Sequence, residues 1–164
     1  MCNRSLRTSA LALAGILITI GGCSESPSSV SSRQFVTRSV SARFSVSGST
    51  ASVIDARGGV LETAAGDRIV FPAGAVTTPT LITITSSSTQ VGVELEPHGL
   101  RFSSTAAPVL ILNTTGSNAA SFRRLDVSYV DESGNVAEVL PAVTGTGTLS
   151  TTLRHFSRYT ASGT

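Results

Sequence analysis

"GGVLETAAGDRIVFPAGAV", residues 58–76, is the stretch that decides the fold. It contains two short runs, "GGVLET" and "DRIVF", in which β-branched, leucine and aromatic side chains are concentrated. Gly66 precedes the second run and forms with its first residue, Asp67, a pair typical of tight turns. Pro72 ends the second run, because proline has no N–H to donate to a sheet ladder. The stretch therefore predicts two strands joined by a turn.

The rest of the folded region repeats this pattern of short runs between turn residues. In "TLITITS", residues 80–86, Ile82 and Ile84 alternate with Leu81 and two threonines, which is the two-residue period of a half-buried strand. No helical periodicity of useful length interrupts the series, so we expect an all-β domain, an antiparallel β-sandwich over residues 51–162. The remaining runs are "SVID", "VGVEL", "PVLILN", "FRRLDVSYV", "VAEVL" and "GTLSTTLRHF".

Residues 58–76 resemble the opening of the ZU-five domain, which occurs in zonula occludens proteins, Unc-five netrin receptors and ankyrins. A later segment, "EPHGLRFSSTAAPVLIL", is similar to the Gly-Pro-x-Gly-x-x-Phe segment of that family, although Glu96-Pro97 stands where Gly-Pro is common and the interval from Phe102 to Pro108 is longer. The resemblance implies a β-sandwich that is used mainly for protein contacts and that needs no cofactor. The matching residues are Gly58, Gly59, Gly66, Pro72, Gly74, Ala75, Gly99, Phe102, Pro108 and Val109.

The first 22 residues have the composition of a secretory signal peptide. Arg4 and Arg7 precede an apolar run over residues 10–20, which is much shorter than the roughly 20 residues that span a bilayer. The following "IGGC" resembles the lipobox of bacterial lipoproteins, which implies that Cys23 is lipidated and begins the mature chain. Ser24 implies sorting to the outer membrane in a cell with two membranes. An ordinary cleaved signal with a chance cysteine is the alternative.

Residues 23–50 are rich in serine, which predicts a linker between the lipid and the sandwich. Residues 24–33 are expected to be a flexible tether. Two interpretations of residues 35–46 stay open, because Phe35, Val40 and Phe44 are apolar enough to form a weak strand at the domain edge.

Charge and cysteine content limit the range of functions. The chain has no lysine, and without Arg4 and Arg7 its ten arginines balance ten acidic residues, so nothing favours nucleic-acid binding. Cys2 and Cys23 both precede the folded region, which excludes a disulfide framework or a thiolate zinc site there. The chain has two histidines, too few for a convincing metal cluster. We therefore expect no cofactor and no metal.

His155-Phe156-Ser157, near the end of the chain, supports two interpretations. In eukaryotic relatives of the family this triplet is a self-cleavage site, which implies that Ser157 would attack the Phe156 carbonyl while His155 takes the hydroxyl proton. The reaction also needs a strained peptide and donors for the oxyanion. The simpler interpretation is structural. Leu153 and Phe156 are both expected to be buried, so we expect a bulge or a sheet crossing near Arg154.

Two further groups of polar residues could bind a cation. Glu94 and Glu96 lie two residues apart, hence on one face of a strand, which is also typical of a solvated strand face. In "VDESGNV", residues 130–136, oxygen-bearing side chains alternate as in a calcium loop, but the rest of that loop is missing and a hairpin turn is favoured. These side chains are Asp131, Ser133 and Asn135.

Together these patterns predict a lipid-anchored cell-envelope protein with one ZU-five-like β-sandwich. We expect the sandwich to be a non-catalytic interaction or spacer module, held to the membrane through Cys23 and bound to a protein partner. Self-cleavage between Phe156 and Ser157 is the alternative function, and calcium or sugar binding is a third.

Overall fold

The computed structural model describes residues 33–39 and 48–164 of the chain. The predicted signal peptide, Cys23 and most of the serine-rich linker lie outside the described residues. In the part described, no helix is long and apolar enough to cross a membrane. The strands are β1 (Gln34–Phe35), β2 (Ser49–Ile54), β3 (Gly59–Glu62), β4 (Arg68–Phe71), β5 (Thr80–Ser86), β6 (Gly92–Glu96), β7 (Val109–Asn113), β8 (Leu125–Val130), β9 (Val136–Leu140), β10 (Val143–Gly145), β11 (Thr148–Thr152) and β12 (Arg158–Gly163).

Two antiparallel sheets form the fold, which confirms the predicted all-β class and is consistent with a sandwich. The larger sheet has the strand order β2-β5-β6-β12-β8-β9, with β1 beside β12, and the smaller sheet has the order β10-β11-β7-β4-β3. The chain passes from one sheet to the other six times, after β2, β4, β6, β7, β9 and β11, so most neighbours within a sheet are distant in sequence.

The core lies between the two sheets and is built from alternate residues of the strands. Ile82 and Ile84 of β5 are fully buried, whereas Leu81 is 61% exposed, so the alternation predicted for this run is confirmed. Each fully buried aliphatic side chain stabilises the fold by roughly 1.5–3 kcal/mol relative to an exposed one. The other large apolar side chains that are almost fully buried include Leu61, Ile69, Leu95, Leu110, Leu112, Leu149, Leu153, Phe156 and Tyr159.

Residues 58–76 form the predicted hairpin of β3 and β4 in the smaller sheet, with Val60 opposite Val70. Gly66 has a φ of +81°, which side-chain-bearing residues rarely adopt, and its N–H donates to the Thr63 carbonyl at 2.9 Å. Gly58 also has a positive φ, and a Cβ there would collide with the Phe71 carbonyl oxygen. The glycines are therefore required by the backbone of this hairpin.

The last strand, β12, lies in the middle of the larger sheet. It pairs with β8 along its whole length, from Arg158 opposite Val130 to Gly163 opposite Leu125. All residues from Tyr159 to Gly163 are buried. The run "YTASG" has few of the residues that favour strands, so only its neighbours on both sides define it. Of the two alternatives expected near Arg154, a bulge or a sheet crossing, the crossing is the one present, because β11 belongs to the smaller sheet and β12 to the larger.

Residues 33–39, which we name the N-terminal segment, are part of the sandwich and not of a flexible linker. Gln34 and Phe35 pair with Ser162 and Gly163 of β12, and Val36 is fully buried. The β-strand alternative is therefore correct for this part, while residues 40–47 lie outside the described residues. The sandwich also includes Ser49 and Thr50 of β2, so its ordered part extends beyond the predicted limits of 51–162.

Arg38 and Asp67 form a buried ion pair between the N-terminal segment and the smaller sheet. The Arg38 Nη2 atom lies 2.6 Å from Asp67 Oδ2, and the two side chains are 7% and 0% exposed. Asp67 Oδ2 also accepts a hydrogen bond from the Ser86 hydroxyl at 2.6 Å, and Oδ1 accepts one from the Asn113 N–H at 2.8 Å. The residue that the sequence indicated only as a turn former thus joins three separate parts of the chain.

Burial raises the pKa of the Asp67 carboxyl, and this effect outweighs the opposing effects of the Ser86 hydrogen bond and the Arg38 charge. Desolvation of the carboxylate therefore offsets much of what the ion pair contributes. Removing only one partner strongly destabilises the fold, because the other charge is then left buried without its counter-charge.

We expect Arg38→Ala to lower the free energy of unfolding by about 3 kcal/mol or more, because Asp67 loses its cationic partner. Urea denaturation of the two proteins measures the difference. Arg57→Ala is the matched control, since Arg57 forms an exposed ion pair with Asp55 at 2.7 Å. The control should unfold like the parent, and equal losses in both variants would contradict the role assigned to the buried pair.

Candidate functional site

His155-Phe156-Ser157 lies where the chain crosses from β11 to β12. The Phe156 N–H donates to the Leu100 carbonyl at 2.8 Å, and the Phe156 carbonyl accepts from the Gly99 N–H at 3.1 Å. The Ser157 carbonyl accepts from the Leu95 N–H at 3.1 Å. The peptide bond between Phe156 and Ser157 is therefore held by backbone hydrogen bonds on both sides, to the segment 95–100.

The Phe156 ring lies in an aromatic cluster between the sheets. Its centroid is 5.0 Å from that of Phe102 and 6.0 Å from that of Phe71, both in edge-on arrangements. The Phe156 residue is 1% exposed. Burial of the ring gives this residue a clear structural task, and the expected burial of both Leu153 and Phe156 is confirmed.

The His155 imidazole lies among aromatic side chains. The Tyr159 hydroxyl donates to the His155 carbonyl oxygen at 2.7 Å and lies 3.3 Å from Nδ1 of the ring. The Tyr129 ring packs edge-on against the imidazole at a centroid distance of 5.1 Å, and Glu138 Oε2 lies 3.9 Å from Nε2. Burial, with a smaller effect of the Glu138 charge, raises the pKa of the Tyr159 hydroxyl, so this group stays protonated and can donate.

The geometry needed for an activated serine is not formed. Between 48 and 164, no hydrogen bond joins the Ser157 hydroxyl to the His155 imidazole, whose Nδ1 atom faces Tyr159. No described residue other than glycine has a positive φ, so the peptide at Phe156-Ser157 carries no left-handed backbone strain. Self-cleavage would also need a donor for the oxyanion that forms on the Phe156 carbonyl. The Gly99 N–H is in position for this, since it already donates to the Phe156 carbonyl oxygen.

The triplet borders a shallow cleft of about 340 Å³ between β6, the β8–β9 turn and the start of β12. Glu94 lines the cleft, with one carboxylate oxygen 3.3 Å from Arg158 Nη2 and the other 3.2 Å from His98 Nε2. Glu94 of the cleft is thus paired with two basic side chains, those of His98 and Arg158. The lining includes Glu94, His98, Arg101, Asp131, Glu132, His155, Ser157 and Arg158.

Each of the two groups considered for cation binding contains residues with structural partners, Glu94 in the first and Asp131 and Asn135 in the second. Asp131 and Asn135 close the β8–β9 hairpin, because the Asn135 N–H donates to Asp131 Oδ1 at 2.8 Å and the Asp131 N–H donates to the Asn135 carbonyl at 2.9 Å. The favoured hairpin turn is therefore confirmed. Glu96 is exposed at the end of β6, and in the described ranges no three His, Cys, Asp or Glu side chains are grouped to hold a metal ion.

The sequence alone does not indicate which side chains surround His155. Tyr129, Glu138 and Tyr159 come from β8, β9 and β12, and their meeting depends on the order of strands in the larger sheet. Their spacing in the chain gives no signal of this. The chain matches no protein-family model and no curated protein, so the ZU-five resemblance stays a sequence-based prediction.

We expect Phe156→Ala to lower the free energy of unfolding by about 3–5 kcal/mol, because a cavity replaces the ring beside Phe71 and Phe102. Thermal or urea denaturation measures it. Val143→Ala is the control for loss of an apolar side chain, since Val143 is 72% exposed on β10 and should be nearly neutral. A Phe156→Ala protein as stable as this control would contradict the structural role of the ring.

Proposed function

We propose that this chain is a lipid-anchored protein of the cell envelope, sorted to the outer membrane where the cell has two membranes. In this proposal its single β-sandwich is ZU-five-like and serves as a non-catalytic interaction or spacer module. The observation that carries the non-catalytic part is the contact of His155 with Tyr159 and of Phe156 with the aromatic core, since both side chains then have structural tasks.

Support for the anchor comes from the sequence before the sandwich. A basic start, a short apolar run and "IGGC" precede a serine-rich linker, and acyl chains contribute roughly 0.8 kcal/mol for each buried methylene. One chain binds a membrane only weakly, whereas two or more hold a protein firmly. A balanced set of arginines and acidic residues leaves lipid as the better supported means of attachment.

Support for an interaction role comes from the outer face of the larger sheet. Val53 of β2 and Leu81 of β5 lie opposite each other and are 60% and 61% exposed. Neighbouring apolar side chains that remain in water are a common feature of contact surfaces. The partner in this proposal is another protein of the envelope, and no nucleic acid is involved.

We expect Cys23→Ser to abolish incorporation of an alkyne-labelled fatty acid in a bacterial host and to move the protein out of the membrane fraction. The reason is that Cys23 would supply the only acyl attachment. Cys2→Ser is the matched control, because Cys2 lies inside the proposed signal peptide, and this variant should remain labelled. Label that persists in Cys23→Ser would contradict the proposed anchor.

Self-cleavage at Phe156-Ser157 is the second candidate, favoured by one observation. The Gly99 N–H donates to the Phe156 carbonyl oxygen at 3.1 Å, and such a donor would stabilise the oxyanion formed if Ser157 attacked that carbonyl. A cut there would not free the last eight residues under native conditions, because they contain β12, which is paired on both edges.

We expect denaturing mass spectrometry of the purified protein to give one intact species, since the His155 imidazole is not hydrogen-bonded to the Ser157 hydroxyl. Denaturing conditions are needed because native methods would keep the two pieces together. Ser157→Ala should give the same pattern, differing only by the mass of one oxygen. A parent species that lacks the last eight residues, and that disappears in Ser157→Ala, would establish the second candidate instead.

A further inference from the structure

We propose that the larger sheet contains a binding slot for an extended peptide and that the N-terminal segment, residues 33–39, is its ligand docked in cis. The Ala161 N–H donates directly to the Val91 carbonyl at 2.8 Å, and the slot is the gap that opens beyond this bond, between Ser162–Gly163 of β12 and Thr89–Gln90 before β6. The peptide class is an extended chain with the pattern Arg-x-x-Val-x-Arg. The same sequence supplied from outside the chain would therefore bind the slot.

Backbone hydrogen bonds line the slot on two sides. The Val36 N–H donates to the Ala161 carbonyl at 2.9 Å, and the Val36 carbonyl accepts from the Val91 N–H at 2.9 Å. The Arg38 N–H donates to the Thr89 carbonyl at 2.9 Å. This is the pattern by which a sheet accepts an added strand, where main-chain bonds supply affinity and side-chain pockets supply selectivity.

Three side chains of the segment enter specific positions. Val36 is fully buried, which excludes a charged residue there. Arg33 Nη1 lies 2.9 Å from Oδ2 of the buried Asp126 on β8. At the other end, Arg38 reaches Asp67. An apolar centre between two acidic ends therefore selects the Arg-x-x-Val-x-Arg pattern.

Arg38 makes more contacts than an ion pair alone would need. Its Nε lies 3.1 Å from the Ser87 carbonyl and 3.2 Å from the Gln90 carbonyl, and its Nη1 lies 3.2 Å from the Asn113 carbonyl. The planar guanidinium thus meets acceptors of both sheets at once. A lysine, with one compact ammonium group, could not match them.

The remaining strands give β12 most of its pairing without the segment. β8 covers its whole length on one edge, and β6 covers Arg158–Thr160 on the other. The segment adds the pairing at Ser162 and Gly163 and the hydrogen bond from the Val36 N–H to the Ala161 carbonyl. The N-terminal segment can therefore leave the sheet while β12 keeps its pairing with β8 and β6, whereas an internal strand of the sheet cannot.

For the lipid-anchored protein proposed above, docking of the segment shortens the flexible tether between Cys23 and the sandwich. Only residues 24–32 then lie between Cys23 and Arg33, and a fully extended chain spans about 3.5 Å per residue. The sandwich would be held within about 35 Å of the acyl chains. This consequence alone rests on the proposed function, whereas the slot itself does not.

The test uses the full-length chain, purified in detergent, with a specific protease recognition sequence inserted between Arg43 and Phe44. After cleavage, we expect the fragment that contains residues 33–39 to stay with the rest of the chain in size-exclusion chromatography. A fluorescent synthetic peptide "RQFVTRS", residues 33–39, should then exchange into the slot and raise its fluorescence anisotropy. The peptide variants do not depend on a protein variant that folds, because their altered residues are in the peptide.

A peptide with Val36→Asp should bind at least about tenfold more weakly than the parent peptide, because a carboxylate would enter a fully buried apolar position. A peptide with Arg38→Ala should also be weaker, and one with Gln34→Ala, at an exposed position, should bind like the parent. In the cleaved protein, Asp67→Asn should weaken binding whereas Asp55→Asn should not.

Two outcomes would overturn the slot. In the first, the cleaved fragment elutes free and the peptide does not bind. In the second, the fragment stays but the peptide enters only at the rate of global unfolding, which would make the segment an inseparable part of the sheet. Neither outcome depends on acylation of Cys23, so failure of the slot is distinguishable from failure of the lipid anchor.

Discussion

The buried Asp67 carboxylate is the group around which the two sheets are arranged. Asp67 follows the β3–β4 turn in the smaller sheet, and it accepts hydrogen bonds from Ser86 at the end of β5 and from the Asn113 backbone at the end of β7. Arg38 adds the N-terminal segment to the same point. A buried carboxylate needs all these donors, so the four parts of the chain must meet in one arrangement. Among the described residues, every buried polar side-chain atom has a hydrogen-bond partner.

The larger sheet joins the two ends of the described chain. β12, the last strand, is its centre, and the N-terminal segment pairs beside it. The buried face of β12 is also partly polar, since the Ser162 hydroxyl lies 2.7 Å from that of Ser128 on β8. A central strand made of small and polar residues is stable only when both neighbours are present. β12 therefore depends on its pairing with β8 on one edge and with β6 and the N-terminal segment on the other.

The triplet His155-Phe156-Ser157 shows how one sequence pattern can be interpreted in two ways. Chemistry would need the imidazole on the hydroxyl, whereas the structure directs the imidazole to Tyr159 and the ring of Phe156 into the core. Both the crossing between sheets and the burial of Leu153 and Phe156 followed from strand alternation. The partners of His155 did not follow, because Tyr129 and Glu138 are brought there by strands that are remote in sequence.

The amino-acid sequence by itself determined the all-β class, the β3–β4 hairpin, the β8–β9 turn at Asp131 and Asn135, and the two-residue period of β5. These features depend on neighbouring residues, through turn chemistry and the alternation of side chains along a strand. Only the tertiary structure decided that β12 is central, that residues 33–39 belong to the sandwich, and that Arg38 meets Asp67. Those contacts join residues far apart in the chain, so their energy arises from burial and hydrogen bonding that exist only after both sheets have packed.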